Sequence, residues 1–223
     1  MIIRANGIDV YYEKSGEGKP FVLLHGNGED HTIFDALRAE LSKHYCVYAP
    51  DTRCHGKSAQ TKTIGYHDMM EDAAAFIMGL KLDKPILLGF SDGAVTGILL
   101  AIKYPELLSG IVACGANTHP LQLKMWFLIA VKFVCLFNKD PKIKMMLVEP
   151  DIKEEELASI RTPMLILAGT RDILPVSATL EIGAAIPSGE VKILKGESHD
   201  SYIKHYDRLL AAMAPFLERL RER

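Results

Sequence analysis

Three residues carry the chemistry open to this chain: Ser91, Asp172 and His199, in that order. A serine hydroxyl is a poor nucleophile until a base takes its proton, and the base needs an acid to orient it. Ser91 lies in Gly89-Phe90-Ser91-Asp92-Gly93, a G-x-S-x-G pentapeptide. An apolar run, Pro85 to Phe90, precedes it. A small-residue run, Ala94 to Tyr104, follows, stopped by Pro105. The pattern reads as strand, sharp turn, helix. Crowding at such a turn demands small flanking residues. The turn lifts Oγ above the sheet, where free N–H groups and the helix dipole favour negative charge. As a bare pentapeptide it is also an ordinary loop serine between two glycines, so the flanking elements carry the argument.

Asp172 follows the apolar run Met164 to Ala168, and His199 follows Val191 to Leu194. In an open parallel sheet, functional groups gather at the carboxyl ends of the strands. Taken singly, Asp172 reads as a turn residue and His199 as a surface histidine. Together they give the Ser–acid–His order of one hydrolase class. An oxyanion hole needs two convergent backbone N–H groups. The residue after the nucleophile, Asp92, supplies one. The loop after Phe21 to Leu24, His25-Gly26-Asn27-Gly28, supplies the other from Asn27. The remaining histidines lack metal-ligand spacing, so no metal is expected.

These residues need a frame. Residues 2–5 and 8–13 form a hairpin through Asn6-Gly7. Short apolar runs at 21–24, 46–49, 85–90, 111–115, 164–168 and 191–194 read as buried parallel strands. Between them lie helices from Asp30 or Thr32 to about 43, at 67–80, after Ser91, at 151–160 and 175–186, and finally from 201 to about 221. Strands alternating with helices after an antiparallel start predict an α/β fold with a mostly parallel sheet.

The 223 residues suit one domain with a large core, and a net charge of −2 without a basic stripe gives no reason to expect nucleic acid. Four cysteines without C-x-x-C spacing read as reduced thiols in a cytoplasmic protein. The N-terminus lacks the basic and apolar regions of a signal peptide.

With these motifs in place, the sequence resembles the α/β-hydrolase superfamily over essentially its whole length. The resemblance rests on His25-Gly26-Asn27-Gly28, Asp51-x-Arg53-x-His55-Gly56-x-Ser58, the elbow around Ser91, Gly169-Thr-Arg-Asp172 and Ser198-His199. It implies an eight-stranded sheet, helices on both faces, an acyl-enzyme mechanism and no cofactor. Arg53 and His55 are then structural, and Cys54 stands where the usual motif has glycine. The expected activity is that of a serine hydrolase on a small carboxylic ester or related acyl compound. A carbon–carbon bond hydrolase, a perhydrolase, a thioesterase and an acyltransferase share the fold, as does a non-catalytic binding protein.

Residues 117–150 fill the slot of a short helical cap, with 1–116 and 151–223 as the core. Leu121 to Phe137 is apolar nearly all round and reads as a buried helix. Equally, with Met125, Trp126, Met145 and Met146, it is a candidate to line an acyl pocket instead. A homodimer or membrane-surface contact is the alternative. The run is too short to span a bilayer, and of these alternatives membrane contact is the less expected. Asp92 has two readings. Its carboxylate suits a helix start. It also resembles the elbow of the valacyclovir hydrolase-like branch, which cleaves α-amino acid esters, and would there border the pocket and attract a cationic acyl group. Ala94 departs from the second glycine often seen in that branch.

Overall fold

The computed structural model describes residues 1–222. Eight strands form one sheet: β1 (Ile2–Ala5), β2 (Ile8–Ser15), β3 (Pro20–Leu24), β4 (Cys46–Pro50), β5 (Ile86–Phe90), β6 (Gly110–Cys114), β7 (Met164–Arg171) and β8 (Gly189–Ser198). Their order is β1-β2-β4-β3-β5-β6-β7-β8. β1 and β2 pair antiparallel, as do β2 and β4, and every later neighbour is parallel. The Asn6-Gly7 hairpin pairs Ala5 with Ile8, and both turn residues take positive φ (45° and 77°), as a tight I′-type turn requires.

The helices are α1 (Asp35–Leu41), α2 (Tyr66–Gly79), α3 (Asp92–Lys103), α4 (Met125–Phe137), α5 (Pro141–Val148), α6 (Glu154–Ala158), α7 (Val176–Ala185), α8 (Ser201–Lys204) and α9 (Tyr206–Arg221). Alternate residues of each central strand serve opposite faces, because side chains in a strand repeat every two residues. Val22, Leu24, Leu87, Ile111 and Ile166 join the core beneath α2, α3 and α7. Phe21, Leu23, Ile86, Leu88, Val112 and Leu165 join the core beneath α1 and α9. Strands covered on both faces must be apolar at every position, and this made them visible in the sequence.

Three helices differ from expectation, the one sought over 151–160 being confined to α6. The helix sought from residue 30 begins with a 3₁₀ turn over 31–34, where the Asp30 side chain accepts the Thr32 N–H, and becomes α-helical only at α1. The C-terminal helix is two pieces that break at His205.

Residues 117–150, between β6 and β7, hold a 3₁₀ turn, α4 and α5. Lys124 is tied to the loop after β7 through its backbone N–H, which donates to Ile173 O, and through Nζ, which donates to Asp172 O. The expectation of a buried α4 is corrected. Only Leu128 and Val131 are buried, with Leu128 packed on Leu123 and Leu174. The segment reads as a core helix in sequence because it is apolar on every face, yet the fold offers a partner to one face alone.

Candidate active site

Ser91 sits between β5 and α3 with φ +52° and ψ −114°, outside the ordinary helical and extended regions. Its N–H is held by Cys114 O at 2.8 Å. The two elbow glycines are required by close approach. A Cβ on Gly89 would lie 2.2 Å from Gly93 O, and one on Gly93 would lie 2.1 Å from Leu24 O. No side chain fits either place, so the strained turn selects its own neighbours.

His199 follows β8, and its Nε2 lies 3.1 Å from Ser91 Oγ. Its Nδ1 lies 2.7 Å from Asp172 Oδ1. The carboxylate can only accept, so Nδ1 carries the proton and Nε2 is free to take one from Ser91. Asp172 is fully buried just beyond β7. Oδ1 also accepts the Leu174 N–H at 3.2 Å, which orients the carboxylate from a second side. Three strand ends therefore meet as one hydrogen-bonded chain, Ser91–His199–Asp172.

Asn27 follows β3, beside β5 in the sheet. Among the described residues, neither the Asn27 nor the Asp92 backbone N–H donates to a protein acceptor. Two free donors flank the elbow, as an oxyanion hole needs.

The loops around them are held by buried histidines. His25 Nδ1 meets Gly26 O at 2.8 Å, and Nε2 accepts the Thr52 N–H at 3.0 Å. Burial lowers its pKa from 6.5 to about 4, so it stays neutral. His55 Nε2 accepts the Gly28 N–H at 3.0 Å, and burial lowers its pKa too. Arg53 forms a buried bidentate pair with Asp72 on α2. Cys54 keeps a glycine-like φ of +62°, so its departure from the usual motif leaves the loop path intact. Asp30, His31 and Asp51 bring three potential metal-ligand atoms together. Their oxygens already serve Thr32 and His31 and the Lys57 N–H, which is the work of a loop clamp.

The expected pocket residues fall elsewhere. Asp92 is 3% exposed. Its Oδ1 accepts from Tyr66 OH at 2.7 Å and its Oδ2 from Asn27 Nδ2 at 2.9 Å. Burial raises its pKa, against the two hydrogen bonds that lower it. The idea that this carboxylate opens to a cationic acyl group is therefore corrected, since neutral donors inside the fold occupy both oxygens. Met125 and Trp126 are 68% and 61% exposed, on the outer side of α4 rather than around a closed pocket. Met145, by contrast, is buried in the larger core.

Two participants escaped sequence reasoning. Tyr66 reads as a helix-start aromatic, and nothing local shows that its hydroxyl reaches Asp92. Glu29 reads as a loop carboxylate, yet its Oε2 accepts the Gly26 N–H at 3.1 Å beneath the elbow. Burial raises its pKa to about 7. An open cleft of about 490 Å³ lies beside the site, lined by Gly28, Glu29, His55, Lys142 and Lys204 but by none of Ser91, Asp172 and His199.

Just over half of the chain, residues 19–134, matches the family described as alpha/beta hydrolase fold. The chain belongs to that family. This alpha/beta hydrolase is 35% identical to human serine hydrolase BPHL over 52% of its own length and 43% of the relative's, so the match spans less than half of that protein. It is 22% identical to the pimeloyl-acyl-carrier-protein methyl ester esterase of Aliivibrio fischeri, over 93% of the chain and 97% of that enzyme. Among solved structures, the esterase EaEST from Exiguobacterium antarcticum superposes with a TM-score of 0.86 at 19% identity, covering 97% of this chain and 98% of the other. An esterase from Thermogutta terrifontis gives 0.80 at 21% identity, covering 99% and 98%. At such identities the structural likeness concerns the fold.

Proposed function

We propose that this alpha/beta hydrolase cleaves a small carboxylic ester, or a related acyl compound, through an acyl-enzyme on Ser91. The observation that carries the reading is the continuous hydrogen-bonded chain from Ser91 Oγ through His199 to the buried Asp172. Ser91 Oγ attacks the acyl carbonyl as His199 Nε2 takes its proton. Asp172 holds the imidazole in the right tautomer and stabilises its charged form. The carbonyl oxygen, now negative, is held by the Asn27 and Asp92 N–H groups. His199 then protonates the leaving alcohol, and the acyl-enzyme is hydrolysed by water activated at the same nitrogen. Residues 117–150 act as the cap over these strand ends. No step calls on a metal or cofactor.

The substrate is read as a small molecule from the short cap. All four cysteines are free, which suits the reducing cytosol. The test is labelling by a fluorophosphonate probe, followed by turnover of a panel of acyl esters, thioesters and vinylogous diketones. Wild type should label and turn over esters, and Ser91→Ala should do neither. An unlabelled wild type, folded by circular dichroism, would make the chain a binding protein instead.

A further inference from the structure

The outer face of α4 is the largest feature the site leaves unused. Met125, Trp126, Ile129, Phe133 and Phe137 are all at least 60% exposed. Their spacing places them on one side of the helix, and Leu128 and Val131 occupy the opposite side against the fold. A soluble protein seldom exposes so continuous an apolar strip unless something covers it.

Charge decides what covers it. Residues 117–150 carry five lysines, Lys124, Lys132, Lys139, Lys142 and Lys144, against two carboxylates, Asp140 and Glu149, in a chain whose net charge is −2. Lys142 pairs with Asp140 at 2.9 Å, while Lys132, Lys139 and Lys144 are exposed. Lys132 borders the apolar strip, and the other two follow its C-terminal end. A second copy docked cap against cap would bring like charges together. An anionic lipid surface would meet both the lysines and the apolar strip. At 13 residues the helix is about 20 Å long, short of the roughly 30 Å hydrocarbon core. Among the described residues no helix is long and apolar enough to cross a membrane. A short helix with an exposed apolar face, Lys132 at its border and Lys139 and Lys144 beyond its end suits the interface rather than a span.

We propose that the exposed face of α4 docks this protein onto anionic lipid surfaces. Membrane-surface contact is the less expected alternative for a buried or pocket-lining helix, and α4 is neither on this face. Docking would set the strand ends that carry Ser91 near the lipid layer, because Lys124 and Leu128 fix α4 to the loop bearing Asp172.

Trp126 is the only tryptophan, so its fluorescence reports on this face alone. The experiment titrates the 223-residue Ser91→Ala chain with phosphatidylcholine vesicles, with and without phosphatidylglycerol, and follows Trp126 emission and co-sedimentation. Using the inactive variant separates the outcome from the hydrolase reading. Binding with a blue shift, dependent on phosphatidylglycerol and weakened by salt, is expected. Lys132→Glu/Lys139→Glu/Lys144→Glu should weaken binding by at least about 30-fold, given the worth of each lysine near a charged surface. Phe133→Ser/Phe137→Ser should abolish the blue shift, and since both side chains are exposed it should leave the fold intact by circular dichroism. Failure to bind overturns the proposal. So does binding that ignores phosphatidylglycerol and the charge reversals. A concentration-dependent dimer that buries Trp126 without vesicles would assign the face to a second copy and overturn it as well.

Discussion

Asn27 and Asp92 are joined side chain to side chain, with Asn27 Nδ2 at 2.9 Å from Asp92 Oδ2. These are the two residues whose backbone N–H groups are read as the oxyanion donors. The same amide donates to Lys142 O on α5 at 3.1 Å, and Asp92 Oδ1 takes the Tyr66 hydroxyl. The β3 loop, the elbow and α2 thus converge on one carboxylate, and α5 is tied in through the Asn27 amide. That bond fixes the distance between two donors which must point at one oxygen atom.

A double-mutant cycle tests whether the pair acts as a unit. Asn27→Ala and Asp92→Ala both keep the backbone donors and remove the tie. Each single change should lower kcat by about 10-fold or more, and the double change should cost little beyond the worse single, a coupling of about 1–2 kcal/mol. Additive losses in kcat would mean that the two N–H groups are positioned independently.

Asp172→Asn should lower kcat by about 10⁴-fold with KM nearly unchanged, because an amide no longer enforces the tautomer that leaves Nε2 free. The backbone at this position is set by Asp172 N–H to Gly169 O and by Lys124 Nζ on Asp172 O. Circular dichroism should therefore show an unchanged fold. Retained activity would place the acid elsewhere.

The parts of this site legible in sequence are those fixed by strand ends. Ser91, Asp172, His199 and Asn27 each follow a run apolar enough to be read as a buried strand, and one architectural rule places all four together. The parts not legible are side-chain pairs between distant segments. Tyr66 with Asp92, Asn27 with Asp92 and Glu29 beneath the elbow leave no local pattern, since their partners are chosen by packing. The α4 error is of another kind. An apolar face seeks cover, but sequence does not say whether the cover belongs to the same chain.

His25 makes stability depend on acid. Its pKa is 6.5 in an ordinary setting and about 4 when buried in the fold. Below pH 6.5 the unfolded chain takes up a proton that the native state refuses. Stability from this group is therefore complete above pH 6.5 and is lost as pH falls towards 4, by about 3 kcal/mol at most. His25→Gln keeps an acceptor near the Thr52 N–H but cannot titrate. Urea unfolding at pH 7 and pH 4.5 should show wild type losing its lead over the variant by about 2 kcal/mol. A constant gap would mean that His25 takes up its proton in the fold as readily as in the unfolded chain.

Glu29 acts in the opposite sense. Burial is the main cause of its raised pKa. The Gly26 N–H, His199 and Lys204 pull it down, and Asp200 pushes it up, leaving it at about 7 against an ordinary 4.5. As pH rises from 4.5 to 7 the unfolded chain gives up this proton first, so the native state loses stability across that window and then levels off. Solvent reaches part of the group and screens the charge, which reduces the expected loss to about 1–2 kcal/mol. Glu29→Gln should keep an oxygen for the Gly26 N–H and carry no charge. Relative to wild type, it should therefore gain about 1–2 kcal/mol between pH 5 and pH 8, read from urea midpoints with a common m-value. His25 titrates below this range in the folded state in both proteins, so the difference isolates Glu29. Parallel curves for the two proteins would show that the carboxylate ionises in the fold as it does in water, and that the Gly26 loop is more open than its hydrogen bonds indicate.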